Sequence, residues 1–375
     1  MLKKTVLIIC VFALFADALS FPSFAFKEKL SVSAGSCVVM NAVSRQVLYS
    51  ENAYEKRGMA STTKLMTSLL LLEGCELSTV VTAQKEDVMI EGTAVGLKPG
   101  EKLTAEDLLY AMLLESGNDA ANVSASFLGK SRENFVRLMN KKAKALGMND
   151  THFMNPSGLP DSEHYSTAYD MSLLASVCIL NNRFRNICST QKSVRTYGEP
   201  SVSHYFTNHN RLLREYDGCI GMKTGFTKAS GRCLVSAAER NGIILVAVTL
   251  NAPNDWDDHK KLLDYGFKVE KSGKTDIDVS GVTVPVTGGN RGSISVYCKE
   301  AYLPFSTFSE YKIFVERFLY APVKTGEKAG KIVYYNENGT KIFSVDLLSA
   351  NNVKYKNNVK KSKFKSFFEY IKDMF

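Results

Sequence analysis

Three short clusters in the chain carry side chains capable of acyl chemistry. In the first, Ser61 stands three positions before Lys64 at the mouth of the apolar run LMTSLLLLEG. Residues three apart share one face of a helix, so hydroxyl and amine can meet. Burial disfavours the charged ammonium, and a neutral amine there can take the serine proton. The free N–H groups at a helix start also suit the oxyanion that an attack on a carbonyl creates. By itself the motif is weak. Ser-x-x-Lys recurs at Ser189 and Lys192, Ser309 and Lys312, and Ser362 and Lys365, and a serine ahead of a helix serves equally as a cap.

The second cluster is Ser116-Gly117-Asn118 in LLESGNDAAN, a hydroxyl and an amide at a helix end where backbone geometry can aim both into a cleft. The third is Lys223-Thr224-Gly225 in GMKTGFTKASG. On an extended segment it offers a cation and a hydroxyl to a substrate carboxylate, while the glycine lets the backbone approach. A second Lys-Thr-Gly, Lys324 to Gly326, lies in the tail of the chain away from the other clusters and reads as a solvated turn.

These clusters need a scaffold. LSVSAGSCVVMNAVSRQVLYS alternates in two short runs about NAVSRQ, which predicts a hairpin opening a sheet. Leu65, Met66, Leu69, Leu70 and Leu72 recur at helical spacing. Thr104 and Asp107 form a capping pair before a second helix that ends near Gly117, and 131–149 reads as an amphipathic helix with a basic face. The runs GRCLVSAAER and GIILVAVTLNA flank Asn241-Gly242, a strong hairpin signal, and a helix around DDHKKLLDYGF follows. Beyond about 271 short runs such as SISVYCKE and GKIVYY predict a small β-rich domain.

The 375 residues, 45% hydrophobic and 23% charged, suffice for one large and one small globular domain. Residues 1–25 read as a signal peptide: Lys3 and Lys4, an apolar stretch at 6–16, and small residues before a cleavage point after Ala25. Export is therefore expected. The net charge of +9 gathers toward the carboxyl end without a nucleic-acid recognition module, so anionic lipid or cell-wall polymer is the expected partner, not nucleic acid. In KKSKFKSFFEYIKDMF, Phe364, Phe367, Phe368, Ile371 and Phe375 share one helical face, with lysines elsewhere, so 351–375 reads as a basic amphipathic membrane anchor. Seven scattered cysteines after the signal segment give no disulfide framework, and the five histidines show no metal-ligand spacing; no metal or cofactor is expected.

In order and spacing, Ser61-x-x-Lys64, Ser116-Gly117-Asn118 and Lys223-Thr224-Gly225 resemble the three motifs of penicillin-recognising serine enzymes. Within that group the chain resembles the low-molecular-weight D-alanyl-D-alanine carboxypeptidases over about residues 30–350. ASTTKLMT, NPSGLPDSEHYSTAYDMSLLA, NHNRLL and KKLLDYGF strengthen the likeness. The resemblance implies an α/β fold: an antiparallel sheet flanked by helices, an all-helical lobe inserted at about 62–210, a catalytic domain over 26–270 and a β-rich domain over 271–350. It implies that Ser61 attacks the bond between two terminal D-alanines of a peptidoglycan stem peptide and forms an acyl-enzyme. Lys64 would be the general base, and Ser116 would relay the proton to the leaving amine. Asn118 would orient the amide, Lys223 and Thr224 would hold the terminal carboxylate with Gly225 letting the backbone approach the substrate, and the backbone N–H groups of Ser61 and Phe226 would form the oxyanion hole. β-Lactams would acylate Ser61 as mimics and leave slowly.

The chain departs from the family at Tyr169, where relatives often carry arginine, and in NAPNDWDDHKK, which lacks a carboxylate-binding arginine that some relatives place there. Three alternatives share the motifs: a D,D-endopeptidase, a serine β-lactamase, and a wall-binding protein with inert motifs. A β-lactamase needs a group that activates water, often a glutamate after the second motif. Glu163 lies in that region without the usual Glu-x-x-x-Asn arrangement.

Overall fold

The computed structural model describes residues 29–270, 272–274, 278–298, 302–304, 310–335 and 341–356. The expected signal peptide, and residues 357–375 of the expected anchor, lie outside the described residues.

The strands of the larger part are β1 (Ser36–Asn41), β2 (Val47–Glu51), β3 (Val80–Thr82), β4 (Lys102–Thr104), β5 (Lys192–Tyr197), β6 (Val202–Thr207), β7 (Cys219–Thr227), β8 (Gly231–Arg240) and β9 (Ile243–Leu250). Five of them make an antiparallel sheet in the order β2-β1-β9-β8-β7. The expected hairpins are present. Asn241 and Gly242 both take positive φ, 50° and 76°, as a two-residue turn between twisted strands requires.

Every residue of β1 and of β9 is buried, so the alternation expected of a half-exposed sheet is missing there. The reason is a helix on each face. Ser172 and Ser176 of α5 (Ala168–Leu180) donate weakly to the Met40 sulfur. Gly266 of α6 (Asp255–Val269) lies against Val39, which points the opposite way. The helices α1 (Lys64–Gly74), α2 (Ala105–Leu113), α3 (Asn118–Gly129) and α4 (Arg132–Leu146) build the lobe. Thr104 and Asp107 close the expected capping box on α2. Ser131 caps α4, Gly147 ends it in a left-handed conformation, and the helix buries Phe135, Met139 and Ala143.

The lobe is not all-helical. It holds two short antiparallel pairs, β3 with β4 and β5 with β6. These segments, such as KSVRTY and VSHYFT, mix Val, Thr and Tyr with polar residues in a period of two around a turn at Gly198 to Pro200. β3 and β4 are three residues each, and the six-residue β5 and β6 are too polar and too exposed to stand out against the helices.

A second buried cluster, including Val284, Ile294, Val296, Ile332, Tyr334 and Leu347, belongs to a six-stranded sheet. Its order is Glu310–Val315, Lys328–Tyr335, Lys341–Ser349, Ser293–Cys298, Thr283–Thr287 and Leu319–Tyr320. The second Lys-Thr-Gly, at Lys324 to Gly326, is an exposed turn beside this sheet, with Gly326 at φ 86°.

Candidate active site

Ser61 does not cap a helix. It sits in a 3-10 turn, Ala60–Thr63, that runs into α1, and the residues heading turn and helix, Met59 and Thr63, make no side-chain capping bond. The turn is braced from the lobe. His164 Nδ1 accepts the Met154 N–H at 2.9 Å, which puts the ring proton on Nε2, 2.8 Å from Thr63 Oγ1. Thr63 Oγ1 in turn donates to the Ala60 carbonyl at 2.8 Å. Burial pushes the His164 imidazole down to about 4, so this chain of bonds is neutral at physiological pH. Gly158 completes the brace. A Cβ on it would fall 1.9 Å from the Ala60 oxygen, and its φ of +89° suits only glycine.

Lys64 is fully buried. Its Nζ lies 3.1 Å from Ser61 Oγ, 2.7 Å from Asn118 Oδ1 and 2.7 Å from the Ser157 carbonyl oxygen. Burial, reinforced by the Lys223 charge and opposed by Asp119, holds the amine well below the usual lysine range. A neutral amine has two N–H donors and one lone pair. With the donors on Asn118 and Ser157, the lone pair is left for the Ser61 hydroxyl, the arrangement a general base requires.

Asn118, the first residue of α3, also donates from Nδ2 to the Glu91 carbonyl at 2.9 Å. Its neighbour Asp119 accepts from the backbone N–H groups of Val95, Gly96 and Leu97, clamping the 91–97 loop onto the helix start. Ser116 is held at φ 64°, left-handed for a non-glycine residue, in the bend between α2 and α3. β7 supplies the opposite wall from the edge of the sheet. A Cβ on Gly225 would stand 3.0 Å from the Ser61 nitrogen and 3.1 Å from that of Thr62, so glycine lets this strand lie against the nucleophile's turn.

Ser61, Ser116, Thr224, Gly225 and Phe226 thus line one cleft of about 310 Å³. Lys64, Asn118 and Lys223 are buried behind its surface. Lys223 Nζ donates to the Thr224 carbonyl at 2.9 Å, and burial pulls its amine down to about 7 against the favourable Glu115 charge. Sequence reasoning missed the other wall residues: Thr93, His209, Arg232, Asp255 and Trp256. An arginine in the otherwise apolar start of β8, and the chain's one tryptophan beside three aspartates, were the available signals.

The remaining candidates fall elsewhere. Ser189 and Lys192 sit on the lobe surface, Ser189 ending a short helix and Lys192 exposed in β5. Ser309 and the pair Ser362 and Lys365 lie outside the described residues. Tyr169 packs against Tyr54, ring centres 5.0 Å apart and planes tilted at 42°, and Glu163 is exposed.

The sequence profile of the D-alanyl-D-alanine carboxypeptidases matches residues 23–254. The chain is 34% identical over 250 residues to the Bacillus subtilis D-alanyl-D-alanine carboxypeptidase DacF, a match spanning 64% of this chain and 64% of that protein. It is 32% identical over 348 residues to the Escherichia coli D-alanyl-D-alanine carboxypeptidase DacC, covering 87% of this chain and 86% of the other. Among solved structures, the Francisella tularensis D-alanyl-D-alanine carboxypeptidase DacD superposes with a TM-score of 0.59 at 26% identity, over 88% of this chain and 95% of that one.

Proposed function

This chain belongs to the D-alanyl-D-alanine carboxypeptidase family, and from that premise we propose that it removes the terminal D-alanine of peptidoglycan stem peptides through an acyl-enzyme on Ser61. The observation that carries the reading is the buried amine of Lys64, 3.1 Å from the Ser61 hydroxyl and with acceptors waiting for both of its N–H groups.

In this reaction Lys64 takes the Ser61 proton as Oγ attacks the carbonyl of the penultimate D-alanine. The oxyanion settles between the backbone N–H groups of Ser61 and Phe226, where Gly225 brings the two segments together. Ser116, fixed at the cleft wall, relays the proton to the departing amine. Asn118, already bonded to Lys64 and Glu91, orients the amide, while Thr224, with Lys223 behind it, faces the terminal carboxylate. Water then cleaves the ester. A β-lactam enters as a mimic and leaves slowly, because among the described residues the cleft lacks the free carboxylate with which a β-lactamase hastens deacylation. Glu163 is exposed, and the carboxylate that does line the cleft, Asp255, is tied to Arg232.

The test is a pair of turnover measurements on the wild type. We expect steady release of D-alanine from a soluble peptide ending in D-Ala-D-Ala, and with penicillin a stable adduct of one antibiotic per chain. Rapid penicillin turnover without D-alanine release would mark a β-lactamase instead. Cleavage of a cross-linked peptide in preference to the linear one would mark an endopeptidase.

The protein acts, on this reading, outside the cytoplasm, with residues 1–25 as export signal, 26–270 as catalytic domain, 271–350 as a spacer and 351–375 as a surface anchor. The alternation of phenylalanines and lysines at the carboxyl end supports the last of these. Among the described residues no helix is long and apolar enough to cross a membrane. Deleting 361–375 should free the protein from vesicles containing phosphatidylglycerol in a flotation assay, and leave D-alanine release from a soluble peptide unchanged. Continued flotation of the truncated protein would remove the anchor from this scheme.

A further inference from the structure

Arg232 enters the cleft from the second residue of β8, directly across the ladder from Phe226. It is firmly held. Nε donates to Asp255 Oδ1 at 3.0 Å, Nη2 stands 2.9 Å from the same oxygen as an ion pair, and Asp255, itself 2% exposed, also accepts the Trp256 N–H at 3.0 Å. The guanidinium lies 5.7 Å from the centre of the Trp256 ring, which lines the same cleft. Asp255 thus holds one edge of the guanidinium, while the side chain lines the cleft and remains 42% exposed.

The other basic groups near the cleft are placed differently. Lys64 and Lys223 are buried behind the wall, with the Lys223 ammonium spent on a backbone carbonyl and already losing its proton near neutrality. His209, also in the wall, pairs with Glu115 at 3.3 Å. A guanidinium stays charged at any physiological pH and presents paired donors to a planar carboxylate.

We infer that Arg232, fixed by Asp255 and Trp256, is the specificity-determining group that receives the terminal carboxylate of the substrate at the leaving-group end of the cleft. This rests on the carboxypeptidase reading. The guanidinium is then shared between two carboxylates, the resident Asp255 and the incoming chain end. Because the arginine is already ordered, binding costs little side-chain freedom. Position 232 supplies the cation that NAPNDWDDHKK lacks.

The experiment compares kcat and KM on a peptide ending in D-Ala-D-Ala with those on its carboxyl-terminal amide, for the wild type, Arg232→Gln, and the double variant Arg232→Gln/Asp255→Asn. The double variant leaves no buried aspartate unpaired, and carries the test if the single one unfolds. The wild type should prefer the free acid. In both variants kcat/KM on the acid should fall about 10- to 100-fold, the worth of a hydrogen bond to a charged group. Activity on the amide should change less than about threefold, so that the two substrates converge. Retention of the acid preference in the folded variants, or an equal loss on both substrates, would overturn the assignment and leave Arg232 a structural partner of Asp255. Release of nothing from either peptide by the wild type would instead remove the carboxypeptidase reading, and this inference with it.

Discussion

Ser61→Ala is expected to release no measurable D-alanine from a D-Ala-D-Ala peptide and to show no mass increase after exposure to penicillin. The substitution removes one oxygen and leaves the turn intact. Ala60–Thr63 is held by the Thr63 hydroxyl, by His164 and by the contact with Gly158, none of which involves Ser61 Oγ. The melting temperature should therefore stay close to that of the wild type. Loss of a covalent nucleophile in a serine hydrolase lowers kcat by on the order of 10⁴-fold or more, so the two results together separate chemistry from folding. A penicilloyl adduct on the alanine variant would place the nucleophile elsewhere.

Lys64→Met should lower the rate of penicillin acylation, followed by intact mass, by about 10²- to 10⁴-fold, the usual contribution of a positioned general base. It should also cost stability, because Asn118 Oδ1 and the Ser157 carbonyl each lose a buried donor, at about 1–3 kcal/mol apiece. The pH profile distinguishes the base from a mere scaffold. The folded protein holds the Lys64 amine well below the ordinary lysine range, so the base form persists to lower pH than in a free lysine and is lost as pH falls through that lowered value. The wild-type acylation rate should show this acid limb and the methionine variant should not. An acid limb that persists unchanged in Lys64→Met would assign the titration to another group.

Spacing made part of this site legible, and the reasons it stopped are physical. Ser61 and Lys64 could be paired on the page because three residues are one turn, and that holds although the helix begins only at Lys64 and Ser61 lies in the tighter turn before it. The second and third motifs could be placed at a helix end and on a strand from glycine positions and apolar runs. What brings them together was not legible. The second acceptor for Lys64 after Asn118 is the carbonyl of Ser157, a backbone atom that any residue type could offer. Arg232 and Trp256 reach the cleft through the register of β8 and the start of α6, and no local pattern encodes such a meeting. In the fold, the sheet and its hairpins were legible from turn residues and the helices from periodicity. The β3–β4 pair was hidden by its brevity, and the β5–β6 pair by its polar, largely exposed strands. The burial of β1 on both faces emerges only once α5 and α6 are in place.

The packing of Gly158 against the Ala60 carbonyl reaches beyond the resting geometry. The loop that contains Gly158 also offers the Ser157 oxygen to Lys64, and Asn155 holds it by accepting from the backbone N–H groups of Ser157, Gly158 and Leu159. One segment, buried from Pro156 to Gly158, therefore sets both the position of the nucleophile and the hydrogen bonding of its base. A segment so buried and so fully hydrogen-bonded belongs to the high-stability end of the molecule and opens only with the packing around it. The loop therefore keeps nucleophile and base in register for as long as the domain around it stays folded. On heating, D-alanine release should be lost together with the tertiary structure of the catalytic domain, and not ahead of it.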